Sequence, residues 1–165
     1  MNTPISAHVP DLMREYKTAW SWCPSRSLLA SIRAYQRVAD SRNPLSIFNG
    51  KLAILRYRFW SVVTGADIPI NTRIGGGLLL PHPSGIVIHP QVEVGINCLI
   101  FQQVTLGIGN GGVPRIGGHV DIGAGAKILG GITIGDHARI GANAVVLRDV
   151  PAGKTAIGVP AVIHD

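Results

Sequence analysis

The chain has 165 residues, of which 46% are hydrophobic and 21 are glycine, enough for one unit with its own core. Two cysteines, Cys23 and Cys98, argue against a disulfide framework and for a reducing compartment. No apolar run reaches the ~18 residues a membrane span needs. The start from Met1 to Pro10 lacks the charged and apolar regions of a secretory leader. The glycines follow no collagen triplet.

The net charge of +6 is confined to one part of the chain. Residues 1–66 hold nine Lys/Arg against three Asp/Glu, whereas residues 67–165 hold six of each. Eight of the nine aromatics also precede residue 67, leaving only Phe101 beyond it. Two segments with different building rules therefore meet near residue 66: a helical segment, 1–66, and a β domain, 67–165.

In chain order, 11–22, 25–40 and 45–64 read as helices. Pro24 and Pro44 suit helix starts, and Ser25 and Ser46 are candidate caps. The apolar spacing of Leu28, Leu29, Ile32 and Tyr35 is helical. The last helix carries Lys51, Arg56 and Arg58 among Leu52, Ile54, Leu55, Phe59 and Trp60. Such a helix packs on the β domain and a neighbouring subunit, or lies on an anionic membrane surface.

From residue 68 a medium apolar residue recurs every six positions: Ile68, Ile74, Leu80, Ile86, Val92, Cys98, Val104, then Ile116, Ile122, Ile128, Ile134, Ile140 and Val146. Asn110 alone breaks the series. A period of six fits neither a helix nor a heptad. It fits a flat strand and a tight corner, three of which close one triangular coil. The inward aliphatic residues fill a narrow prism that has no room for aromatics. Glycine after many anchors, as at Gly75, Gly117, Gly123, Gly135 and Gly141, relieves crowding or permits positive φ. Residues 107–115 lack anchors and are glycine-rich, so they read as a loop extruded from the prism.

Several blocks within this repeat resemble the serine acetyltransferase family of hexapeptide-repeat acyltransferases. They are Ala66-Asp67-Ile68-Pro69, the stretch Gly77 to Val87 around Pro81-His82-Pro83, Gln102-Gln103-Val104-Thr105-Leu106-Gly107, Ile122 to Gly130, and Ala156-Ile157-Gly158-Val159-Pro160-Ala161. The resemblance implies a mainly β fold: a left-handed parallel β-helix of about 4–5 coils behind a short helical segment. It also implies a homotrimer in the cytoplasm, at the membrane's inner face if the basic helices engage it. Acetyl-coenzyme A would be the co-substrate, lying between neighbouring prisms, and no metal is expected.

By the same resemblance His82 is the catalytic base and Asp67 its carboxylate partner. An alcohol is a poor nucleophile at neutral pH, and an imidazole within hydrogen-bond reach removes its proton as it attacks a thioester. A carboxylate on the other ring nitrogen fixes the tautomer and steadies the imidazolium. Gly107, Ala124 and Ala142 would line the wall for the pantetheine arm, Arg139 and Lys154 would meet phosphates, and Gly158 would help close the far end. Pro81, Val113 and Arg115 fall where the family meets the acceptor.

There the chain departs from the family pattern. Pro81 replaces an Asp that meets the substrate amine, and Gly112-Val113-Pro114 replaces an Arg-His-Pro stretch that meets its carboxylate. Arg115 is the one residue placed to compensate. A site that leaves a zwitterion unpaired binds it poorly. The acceptor expected is therefore a saccharide hydroxyl, in an exopolysaccharide or its precursor, with serine O-acetylation as the alternative. A non-catalytic trimeric scaffold would need neither His82 nor the loop. A zinc site of the γ-class carbonic anhydrase type would need an H-x4-H pair, which the sequence lacks; His89, His119 and His137 read as turn residues. Nucleic acid has only the basic charge to recommend it.

Overall fold

The computed structural model of the chain describes residues 5–18, 21–41 and 43–165. Two helices, α1 (Pro24–Gln36) and α2 (Pro44–Thr64), precede thirteen short strands. Each helix begins on its proline, whose missing N–H and fixed φ suit the first turn. The caps are not the expected serines. Cys23 caps α1 without a side-chain bond, and the Asn43 side chain accepts from the Leu45 N–H at the start of α2. Gly65, at φ 63°, ends α2 in the left-handed conformation.

The helix expected over 11–22 is absent as such. Only Leu12–Glu15 is helical, as one 3-10 turn, and Ala19 and Trp20 lie outside the described residues. The segment is instead a strap tied to the β domain. The Asn97 side chain donates to the carbonyls of Ser6 and Val9 and accepts from the Asp11 N–H, all at 2.8 Å. Glu15 accepts from the Leu78 N–H and pairs with Arg33 at 2.8 Å. Tertiary bonds to a buried corner residue outcompete a short local helix.

The strands are β1 (Arg73–Ile74), β2 (Val87–Ile88), β3 (Glu93–Val94), β4 (Leu99–Ile100), β5 (Thr105–Gly107), β6 (Arg115–Ile116), β7 (Asp121–Ile122), β8 (Lys127–Leu129), β9 (Thr133–Ile134), β10 (Arg139–Ile140), β11 (Val145–Val146), β12 (Thr155–Gly158) and β13 (Ala161–His164). They form three parallel faces: β1-β3-β6-β9 (the Arg73 face), β4-β7-β10-β12 with β13 antiparallel at its edge (the Leu99 face), and β2-β5-β8-β11 (the Val87 face). Up to β12, successive strands lie on different faces, and the inner strands of each face pair with the coils above and below. This is a left-handed parallel β-helix of about five coils.

All thirteen anchors of the six-residue series are buried, but they do not share one structural register. Each rung buries two alternate residues, as with Ile86 and Ile88, Val92 and Val94, Cys98 and Ile100, and Val104 and Leu106. The ladder pairs Ile88 with Leu106, Leu106 with Ile128 and Val94 with Ile116. Ile86 through Val104 are thus the first inward residue of their rungs, whereas Ile116 onward are the second. Two extra residues at the corner after Leu80 shift the beat from one inward position to the other. Four extra residues after Leu106 shift it back. A two-residue change leaves an alternating strand facing the same way, so the series looks unbroken.

The helices close the open end of the prism. Leu28, Leu29 and Ile32 of α1 join its core, and Tyr57 and Trp60 of α2 pack against it. Arg33 donates to the Gly75 carbonyl at 2.6 Å, satisfying an acceptor that the first coil would leave bare. No described helix is long and apolar enough to cross a membrane.

Candidate active site at a prism edge

The corners joining the Leu99 face to the Val87 face stack into one edge. Its rungs are 81–85, 101–104, 123–126 and 141–144. Backbone bonds tie them vertically: Gln103 N–H to Ser84 O at 3.0 Å, Gly125 N–H to Gln102 O at 2.8 Å, and Asn143 N–H to Ala124 O at 2.8 Å. Gly85, Gln103, Gly125 and Asn143 all turn the corner at positive φ, between 57° and 74°.

His82 heads this edge, on the corner that holds the two extra residues. Prolines on both sides restrict the backbone there. The ring is exposed. Asp67 bridges Val87 on the adjoining face, and its backbone bonds with Ile86 and Ile88 at 2.8 and 2.9 Å. Its side chain is exposed too. Among the described residues no hydrogen bond joins His82 to Asp67, so the expected dyad is not formed in the isolated chain. Asp67 does act on Tyr57. Burial, and secondly the Asp67 charge, raise the Tyr57 phenol above its ordinary pKa, and its hydroxyl donates to the Ile68 carbonyl at 3.0 Å.

Ala124 and Ala142 lie below His82 on the same edge. Gly158, at φ 100°, ends β12 opposite Ala161, at the hairpin that follows the last coil. Arg139 stands on the outer side of the Leu99 face in the row Asp121, Arg139, Thr155. Lys154 follows from the next coil, and its ammonium pairs with Asp165. Burial is outweighed by Lys154 at Asp165, whose carboxyl is held below its ordinary pKa chiefly by that hydrogen bond.

The other expected residues lie apart from this edge. Gly107 ends β5, opposite Leu129, at the far side of the Val87 face. Val113 packs against the core and Pro114 is buried. The extrusion is therefore narrower than 107–115: Gly107 and Arg115 belong to strands, and Gly109 and Gly112 close a small antiparallel turn. Arg115 projects from the Arg73 face between Glu93 and Thr133. With Gln91, Gly111 and Val113 these residues wall a groove beside the loop. Within one chain, then, Pro81 and Val113 sit on different edges and do not form one pocket.

Two residues without an assigned role stand at the His82 edge. Lys127, on the Val87 face, donates to the Gln103 carbonyl at 2.6 Å and to Thr105 Oγ1 at 3.1 Å. Gln102 Oε1 is buried without a partner. Lys127 is the only cation between Arg115 and Arg139, which is the one signal that could have drawn attention to it. His119 and His137 stack on another edge with their Nδ1 atoms 2.8 Å apart. Among the described residues no group of three or more side chains is arranged to hold a metal.

Comparison with known proteins agrees with this architecture. Residues 114–148 match the family described as bacterial transferase hexapeptide (six repeats). The serine acetyltransferase of Helicobacter pylori strain J99 is 47% identical over 104 residues, covering 60% of each chain. That of Mycobacterium tuberculosis is 42% identical over 116 residues, covering 68% of this chain and 51% of the relative. The chain spans roughly half the length of such curated relatives, 60% of the Helicobacter pylori enzyme and 51% of the Mycobacterium tuberculosis one. Among solved structures, a serine acetyltransferase in complex with CoA superposes with a TM-score of 0.72 at 36% identity, over 87% of this chain and 58% of that one. Soybean serine acetyltransferase apoenzyme gives a TM-score of 0.63 at 35% identity, over 84% and 69%. A three-faced hexapeptide prism carrying His82 at a widened corner, with identity at this level across most of a solved relative, places the chain in the serine acetyltransferase family of hexapeptide-repeat acyltransferases.

Proposed function

We propose that this chain is an acetyl-coenzyme A-dependent O-acetyltransferase that works as a homotrimer, with L-serine as the leading acceptor. One observation carries the reading. His82 heads an edge whose lower rungs, 123–126 and 141–144, are built of glycine, alanine and one asparagine, on the corner widened by two residues. The loop edge lies across the same face, so a neighbouring prism is needed to bring loop and imidazole into one cleft. The relatives are serine acetyltransferases, and this supports serine over the saccharide acceptor that the sequence favoured.

The edge suits the co-substrate. Ala124 and Ala142 leave room for a slender arm. Arg139 and Lys154 offer cations to phosphates, Lys154 after release from Asp165. Bound acetyl-coenzyme A would supply the acetyl group as an activated thioester. His82 accepts the acceptor hydroxyl's proton as the oxygen attacks the thioester carbonyl, then returns it to the departing sulfur as the C–S bond breaks. Asp67 orients the ring and offsets its transient charge once the cleft closes.

The saccharide reading keeps one point in its favour. Pro81 beside His82 and Val113 on the loop offer no charge to a zwitterion, and Arg115 alone is cationic there. Thiol release from acetyl-coenzyme A with L-serine, and separately with mono- and oligosaccharides, tests the choice. Saturable, serine-dependent release supports the leading reading. Release with saccharides alone replaces serine, and release with neither acceptor removes both.

A further inference from the structure

Helix α2 carries an apolar ridge that the fold does not use. Leu45, Phe48, Leu52, Leu55, Phe59 and Val62 follow one another at intervals of three and four, and each is between 46% and 84% exposed. The opposite side of the helix meets the protein through Gly50, Ala53, Tyr57, Trp60 and Thr64. Strict alternation of three and four is the a/d seam of a coiled coil, narrower than the stripe by which a helix beds into a core. With Leu45 at position a, Lys51 and Arg58 fall at g and Arg56 at e. No Asp or Glu occurs between Asp40 and Asp67. The C-terminal half of the ridge is braced by aromatic contacts, Trp22 to Trp60 at 5.4 Å and Phe59 to Trp60 at 5.0 Å.

We propose that this ridge is a docking seam for a single helix of a partner protein, apolar at a and d and acidic at e and g. The charges select that occupant. In a parallel pair, g of one helix faces e of the next heptad on its partner, so two copies of α2 would set Lys51 against Arg56. An antiparallel pair places g against g and e against e, again cation to cation. An acidic helix answers all three cations. A bilayer would wet a broader apolar face than one flanked at e and g by Asn49, Lys51, Arg56 and Arg58.

Full-length protein is titrated by fluorescence anisotropy against two labelled synthetic peptides about three heptads long, both with Leu at a and d. One has Glu at e and g, the other Lys. The Glu peptide should bind at least ~10-fold more tightly and should weaken as salt rises from about 0.05 to about 0.5 M. The double variant Leu45→Ser/Leu55→Ser should lose binding with its circular dichroism and thermal midpoint little changed, because the two residues are 66% and 65% exposed. The triple variant Lys51→Glu/Arg56→Glu/Arg58→Glu should prefer the Lys peptide. Equal affinity for the two peptides, or none for either, overturns the proposal. So does loss of self-association in the double variant by sedimentation, which assigns the ridge to a second copy. Binding to phosphatidylserine vesicles that the double variant abolishes, with neither peptide bound, assigns it to a membrane.

Discussion

Replacing Gly95 by alanine tests how closely the coils are stacked. A Cβ at this position would lie 2.2 Å from the Gly117 oxygen, 2.4 Å from its carbonyl carbon and 2.7 Å from the Gly118 nitrogen. All three are backbone atoms of the next coil, so no side chain can turn aside. An ordinary carbon–oxygen contact is about 3.3 Å, which requires the coils to part locally by about 1 Å. The Gly95 N–H to Ile116 bond, 2.8 Å long, would then stretch beyond useful hydrogen-bonding range. Overpacking typically costs ~1–3 kcal/mol, and one or two buried bonds left unmade add ~1–3 kcal/mol. The sum is about 2–6 kcal/mol. Gly153→Ala is the control: its φ is 73° and nothing lies within 4 Å of the added carbon, so only left-handed backbone strain of ~1–2 kcal/mol is expected. Urea unfolding by circular dichroism at one fixed protein concentration measures both, since an oligomer's midpoint depends on concentration. A Gly95→Ala variant no less stable than Gly153→Ala would refute the reasoning.

Asn97→Ala removes three hydrogen bonds to the N-terminal strap and leaves alanine at φ 58°. It should cost ~2–4 kcal/mol and speed proteolysis before Pro24, read by mass spectrometry of the fragments. His119 has a pKa below its ordinary value, first through burial and then through neighbouring His137, with Asp121 opposing. The unfolded chain therefore takes up this proton first as pH falls through about 6.5. Stability should decline below that pH and level off once the lower folded pKa is passed. His119→Asn, which tolerates the corner's φ of 53°, should flatten that slope in urea midpoints measured from about pH 5 to 7. Asp67→Asn should keep the fold, because the backbone bonds that place it remain, and lower kcat by ~10- to 1000-fold. An unchanged kcat would remove Asp67 from the chemistry.

The period of six was legible because a narrow prism admits only medium aliphatic side chains, so composition and spacing carry the same information. The register was not. Ile86 and Ile88 are both inward, and a two-residue insertion is invisible to a six-residue count. That insertion is where His82 stands, so the widened corner emerged only from the ladder pairing Ile88 with Leu106. Of the two roles open to the glycines after the anchors, Gly75 and Gly117 fill the relief of crowding: neither has positive φ, and the neighbouring coil occupies the space of a Cβ. The strap escaped notice because it depends on one asparagine, Asn97, about 90 residues away in sequence from the residues it holds. Ala124, Ala142 and His82 share an edge, whereas Gly107 stands at the far side of the Val87 face. Pro81 and Val113 do not meet, because they stand on different edges of the prism.

The most direct test of the whole proposal is thiol release from acetyl-coenzyme A with L-serine, measured for the native protein and for His82→Ala at equal concentration and equal oligomeric state. The native protein should turn over in proportion to acceptor at low serine. The variant, with an unchanged thermal midpoint because the ring is exposed, should be slower by ~100- to 10,000-fold. A variant that turns over at the native rate would show that the imidazole at the widened corner is not the base.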